Sequence, residues 1–534
     1  MKTSFFRLCA LLLCLCLTSS LLCLPVLAEE AEETQPPQEQ ETAPTEPPRE
    51  PAVNLTSART LTQVIGFPDF NALMDRKLYV GQSGMDGAYI TMTHDLGIGS
   101  IYIVYLRSYG SCSLKNNDTG EVRTCGGNGF LNEFVDVEAI FGTAPHSVTI
   151  TFDSGKPYVS EIYVYSPGEV PDTIQKWRPP VENETDLILF SAHGDDEQLF
   201  FAGILPYYDA ELDYEVLVVY LTDHQNNFGT KRMHEMLAGL WAVGVDTYPI
   251  FGHFEDFRTT KLAKSYEVYE RLGHSFDDLM SFVVEQIRRF KPKVVVGHDF
   301  AGEYGHGQHM VYADLLSKSL DITNDPEAYP ELAEQYGVWD VPKAYFHLYE
   351  ENPIVMDWDR PLERFGGETA FYVSIYRGFE QHRSQHDDFN WWYYGAKNAM
   401  AIEKFNPCYY GLYRSTVGPD VEKNDFFENV TTHAQDRLAE EARLAEEARL
   451  KAEAEARAKA EAEAQRKAEE EARRKAAEEA ERLKKEQEAQ QEAARQQALL
   501  AQQQKTRTIV ITAVAAAVLI CAVLIIRARR KSAP

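Results

Sequence analysis

Two short segments gather side chains that hold metals and move protons: S-A-H-G-D-D-E at 191–197 and G-E-Y-G-H-G-Q-H at 302–309. His193, Asp196 and His309 offer two imidazoles and a carboxylate. Three protein ligands with a fourth position open are the make-up of a catalytic zinc site. Asp195, next to a ligand, is left over as a carboxylate that can take a proton from a metal-activated water. His306, three residues before His309, can steady an oxyanion and protonate a leaving amine, and Tyr304 can add a hydroxyl donor. Together these residues predict a hydrolase. Singly they say little, because an Asp-Asp pair after a strand is commonly a helix N-cap.

Each segment follows an apolar run, 186–190 for the first and 293–296 for the second. Strand-like runs at 186–191, 215–221, 247–251, 293–296 and 344–348 alternate with helical patterns at 231–243 and 266–290. That alternation predicts an α/β domain at 171–419, a Rossmann-like, mostly parallel sheet with helices on both faces. Sites in such sheets form beyond the carboxyl ends of the strands, where both segments fall.

The two segments resemble the metal motifs of the PIG-L/LmbE-like zinc-dependent N-acetylglucosaminyl deacetylases, His-Pro-Asp-Asp-Glu and Tyr-Gly-His-Pro-Asp-His. Here they read His193-Gly194-Asp195-Asp196-Glu197 and Tyr304-Gly305-His306-Gly307-Gln308-His309. Arg232-Met233-His234-Glu235, the later Leu240 and Gly244-Val245, and His382-Arg383-Ser384-Gln385 are similar to further family segments. The resemblance implies Zn2+ on His193, Asp196 and His309, a general base at Asp195, an acid or electrostatic histidine at His306, and sugar contacts at Arg232 and Asp256. His298, His224 and Asp223 are left between pocket-lining and core or loop roles. Gly194 and Gly307 stand where the family has prolines, which predicts looser loops. Gln308 replaces an acidic neighbour of the last ligand.

Around this domain the composition changes sharply. Lys2, Arg7, an apolar stretch and Val26-Leu27-Ala28 read as a signal peptide over 1–28. Residues 29–52 are Pro/Glu-rich and read as a disordered linker. Short alternating strands over 53–170 predict an antiparallel β-sandwich. Its closing strands resemble discoidin-like, galactose-binding modules, so a carbohydrate-binding role stands beside a spacer role. Residues 430–504 hold no Gly or Pro and read as a charged helical stalk, a weak coiled coil at most, with self-association through it left open. Residues 508–526 are apolar and uncharged, long enough to cross a bilayer. The basic tail at 527–534 places that end in the cytoplasm and the rest outside.

The chain of 534 residues carries a formal net charge of -29, which argues against a nucleic-acid partner, although much of the acid lies in the N-terminal linker and the helical tail. Of its 8 cysteines, Cys112 and Cys125 flank the turn sequence Asn116-Asn117-Asp118-Thr119-Gly120, open to pairing across a hairpin or to free thiols. The reading is therefore a membrane-tethered, outward-facing zinc deacetylase of amino-sugar glycans. Another zinc amidohydrolase, or a non-catalytic glycan-binding surface protein, are the alternatives.

Overall fold

The structure is a computed structural model describing residues 49–224, 229–386 and 393–529. The signal-peptide reading, nearly all of the linker, and Arg530 and Lys531 of the basic tail lie outside the described residues. The chain divides into two compact units, one made of 49–105, 109–127 and 134–174 and the other chiefly of residues from Gln175 onward.

The second unit is a mixed α/β structure built on a seven-stranded sheet. Its strands are β1 (Leu187–Ser191), β2 (Val216–Thr222), β3 (Ile250–Phe254), β4 (Val294–Gly297), β5 (Lys343–His347), β6 (Pro353–Val355) and β7 (Tyr409–Ser415), in the order β3-β2-β1-β4-β5-β7-β6. The first five are parallel, and β7 and β6 close one edge antiparallel. The strand–helix alternation of the sequence does not anticipate that edge. In β1, Ile188 and Phe190 join one apolar cluster, while Leu187 and Leu189 join another. Burial on both faces explains the continuous apolar runs of β1, β2 and β4.

Helix α1 (Gly229–Ala242) covers one face through Met233, Met236, Leu237 and Leu240. The helical pattern over 266–290 is two helices, α2 (Leu262–Leu272) and α3 (Phe276–Phe290). Gly273, at φ 97°, ends the first in the left-handed region, and Ser275 starts the second with a capping box to Asp278. Such a cap contributes about 1 kcal/mol. Along α3, Leu279, Val283, Ile287 and Phe290 are buried at helical spacing on the other face of the sheet, each stabilising by roughly 1.5–3 kcal/mol. Helix α4 (Gly307–Ser319) starts inside the second motif, and α5 (His433–Arg529) is one unbroken helix of 97 residues. By length and composition α5 holds a stretch apolar enough to cross a membrane.

The first unit contains a five-stranded sheet whose four pairings are all antiparallel and a second sheet of four strands. Side chains from both sheets, Ile90, Ile150 and Phe152 from one and Ile103 and Ile162 from the other, form a single apolar cluster. Ser147–Phe152 shows the cause: Val148, Ile150 and Phe152 are fully buried, while Ser147, Thr149 and Thr151 alternate outward. Cys112 and Cys125 lie directly opposite one another as cross-strand partners.

Candidate metal centre and active site

Four strand ends build the site. The loop after β1 carries His193 to Asp196, that after β2 carries His224, that after β3 carries Asp256, and that after β4 leads from His298 to His309. His193 Nδ1 lies 3.1 Å from Asp196 Oδ2 and 3.2 Å from His309 Nε2, and His309 Nε2 lies 3.2 Å from Asp196 Oδ2. This triangle fits a metal: ligand atoms about 2.0–2.1 Å from a tetrahedral zinc stand roughly 3.3–3.4 Å apart.

The protons agree with the distances. His193 Nε2 faces Gln308 Oε1 at 3.1 Å, while the Gln308 amide NH2 donates to Glu255 O at 2.9 Å and to the Tyr269 hydroxyl. That fixes the amide orientation, puts the His193 proton on Nε2 and frees Nδ1. His309 Nδ1 donates to Glu303 Oε2 at 2.7 Å, which frees Nε2. Carboxylate and amide partners behind ligating histidines are how metal sites hold their tautomers. His298 also comes near, with Nε2 3.6 Å from Asp196 Oδ2, but that nitrogen accepts the Ala192 N–H at 2.9 Å. Its lone pair is taken, so it braces the loop.

The electrostatics ask for a cation at the same point. Burial opposes charge on Asp196, yet His309 and His193 outweigh it and hold this carboxyl well below its ordinary range. Burial likewise opposes charge on His309, but Asp196 and Glu303 pull it up to about 10, so Nε2 gives up a proton when it serves as a metal ligand.

Around the triangle stand the remaining predicted residues. Burial pushes Asp195 up to about 7 against the pull of Arg232, whose Nη2 is 3.6 Å from Asp195 Oδ1. Arg232 also donates to Asp256 Oδ2 at 3.0 Å. His306 packs edge-on to His193, with ring centroids 4.8 Å apart. Burial and its two histidine neighbours push it down to about 2, so it is neutral, and its Nδ1 has no hydrogen-bond partner among the described residues. Tyr304, at φ 46°, lies beside His306 and His309 with centroids 5.4 Å from each. All eight predicted residues thus lie in one neighbourhood. Asp223 Oδ2 lies 3.7 Å from Nδ1 of the exposed His253.

The sequence reading does not include Glu303, which is fully buried and faces His298, His309 and His347 at 2.8, 2.7 and 2.7 Å. The only signal was a carboxylate inside a segment otherwise made of Gly, Tyr, His and Gln.

Residues 188–319 match the family model PIG-L, GlcNAc-PI de-N-acetylase. This stretch is a PIG-L domain. Among curated proteins the chain is similar to the 1D-myo-inositol 2-acetamido-2-deoxy-alpha-D-glucopyranoside deacetylases of Geodermatophilus obscurus and Rhodococcus jostii. The first is 27% identical over 204 residues, 35% of this chain and 68% of that enzyme. The second is 27% identical over 192 residues, 32% and 64%. The chain thus spans about two thirds of these relatives' length. Among solved structures it is similar to the N,N'-diacetylchitobiose deacetylase of Pyrococcus horikoshii, at 14% identity and a TM-score of 0.29, over 42% of this chain and 83% of that one.

The three departures from the PIG-L motifs have local explanations. Gly194 N–H donates to His224 Nε2 at 3.0 Å, and His224 Nδ1 faces Asp256 Oδ2 at 3.3 Å. Gly307 N–H donates to Thr259 O at 2.9 Å. A proline has no N–H to give. Both positions are also crowded: a Cβ on Gly194 would meet Met236 Sδ at 2.6 Å, and one on Gly307 would meet Thr259 Oγ1 at 2.1 Å. The looseness expected of two glycines is therefore offset by hydrogen bonds and tight packing. Gln308 braces His193 rather than its neighbour His309. Farther out, Glu235 of α1 accepts the Ser384 N–H at 3.2 Å, which brings the segments 232–235 and 382–385 together.

Proposed function

We propose that this protein is an exported, membrane-anchored, zinc-dependent deacetylase of N-acetylated amino sugars. The observation that carries the reading is the triangle of His193 Nδ1, Asp196 Oδ2 and His309 Nε2 at 3.1–3.2 Å, with Asp195 and His306 beside it. Bound there, zinc would supply Lewis acidity and make water acidic enough to be used near neutral pH. Asp195 is the proton acceptor for the attacking water, and its burial keeps its basicity close to neutral. The water oxygen bonds to the acetyl carbon, the C–N bond breaks, and the proton that Asp195 took from the water passes to the leaving nitrogen, giving acetate and a free amine. His306 and Tyr304 face the developing oxyanion as neutral donors, and His306, with one nitrogen open, can orient on the leaving group. Arg232 and Asp256, both partly exposed, form a polar edge for the sugar hydroxyls, with Asp256 also bracing Arg232. The first unit is read as a glycan-binding or spacing module.

The test is release of free amine from N-acetylglucosamine oligomers by the zinc-loaded protein. One zinc per chain is expected, lost in His309→Ala, since two remaining ligands are too few for tight binding. No amine from any N-acetyl sugar sinks the deacetylase reading, and full zinc occupancy in His309→Ala sinks the ligand set.

A further inference from the structure

The site and the membrane tether leave the α/β unit at opposite ends of the same strands. His193 follows the carboxyl end of β1, and His298 to His309 follow that of β4. Helix α5 begins at the other ends. His433 N–H donates to Asp186 Oδ1 at 2.7 Å, one residue before β1, and His433 Nε2 donates to Lys291 O at 3.0 Å, just ahead of β4. Lys293 pairs with Asp436, and Arg437 lies 3.3 Å from Glu184. A strand of five residues separates the two ends by roughly 17 Å.

From Leu438 to Ala528 the side chains of α5 are exposed, so the helix does not run back along the sheet toward the site. Between His433 and Thr508 it holds no Gly or Pro, the usual causes of a sharp kink. Those 75 residues span about 110 Å at 1.5 Å each. The sequence there is charged on all sides and lacks the apolar face that would lay a helix on a bilayer. A headgroup layer is only about 5–8 Å deep on each side of the hydrocarbon.

We propose, resting on the deacetylase reading above, that the substrate is a glycan polymer held away from the anchoring membrane and not a glycolipid in that membrane. The clamp of α5 on the amino ends of β1 and β4 turns the catalytic end outward, and the straight helix keeps it beyond headgroup reach.

The experiment uses the full chain in lipid vesicles with the catalytic domain outside. Amine release is compared for soluble N-acetylglucosamine oligomers, a synthetic N-acetylglucosaminyl lipid in the same bilayer, and a short-chain soluble analogue of that lipid. The oligomers and the analogue should be deacetylated, and the same-bilayer lipid at least about 10-fold more slowly than the analogue. Replacing 440–443 and 501–504 with glycine should raise the same-bilayer rate at least about 10-fold, leaving the oligomer rate unchanged. A wild-type same-bilayer rate equal to that on the analogue, or hinges that gain nothing, overturns the inference. No amine from any substrate removes the deacetylase reading and this inference with it.

Discussion

A proton on the wrong nitrogen would empty the candidate metal centre as surely as a missing side chain. Gln308 and Glu303 decide those protons, one behind each ligating imidazole. For Asp195 the expected outcome of Asp195→Asn is retained zinc with kcat lowered roughly 10²-fold or more, the scale of losing a general base. Near-normal turnover in zinc-loaded Asp195→Asn would remove Asp195 from the mechanism. Gly194 allows a sharper comparison. Gly194→Ala keeps the N–H and meets Met236; Gly194→Pro meets Met236 and also removes the shorter of two contacts at His224 Nε2, leaving the Thr222 hydroxyl at 3.4 Å. Thermal or denaturant unfolding should place the proline variant below the alanine variant by about 0.5–1.5 kcal/mol, the net worth of one hydrogen bond. Equal stability would mean the Gly194–His224 bond contributes nothing. The candidate ligands are legible in the sequence because each motif is local, with His193 and Asp196 three residues apart. Their braces were not, since Gln308 reaches His193 across 115 residues and nothing in composition or spacing announces that contact.

Strand ends do the positioning here, and the strands differ in how openly the sequence declares them. β1, β2 and β4 are runs of Leu, Ile and Val buried on both faces, which no solvent-exposed segment would tolerate. β3 falls at 250–254, three residues beyond the run read from its apolar residues, because Gly252 and His253 blur the pattern. β6 and β7 add antiparallel pairing at an edge, with mixed burial and no periodicity to mark them. In the first unit a buried carboxylate offers a test of packing. Glu161 lies in Tyr158–Tyr165, fully buried, and accepts the Lys77 N–H at 2.9 Å. Burial, with the Asp75 side chain adding to it, pushes Glu161 up to about 7 from 4.5. Between those two values the unfolded chain releases the proton while the folded chain keeps it, so stability falls as pH rises through the window. Glu161→Gln should remove this contribution: the melting temperature should decline less from pH 4.5 to 7.5 than in wild type. Identical pH profiles would show that Glu161 ionises freely when folded.

At the scale of the whole chain, topology is the testable claim. The proposed leader at 1–28, one late apolar stretch and basic residues beyond it predict that the PIG-L domain lies outside the cell. Protease shaving of intact cells should release it, and protection while a known surface protein is cleaved would reverse the orientation. Between domain and span, Glu and Arg or Lys at i,i+4 spacing, such as Arg449 with Glu453 and Lys485 with Glu481, line a helix that buries none of its own side chains. A helix that passes from its clamp on the domain into the apolar stretch without a joint also carries a compass bearing. Every residue inserted between His433 and Thr508 would lift the catalytic domain by about 1.5 Å and swing it by roughly 100° about the helix axis. Seven added residues would return it almost to its starting azimuth, about 10 Å higher, whereas five would turn it nearly to the opposite side. If neighbouring copies or an ordered glycan lattice fix which side must face the substrate, chain length in the stalk is constrained by angle before it is constrained by reach.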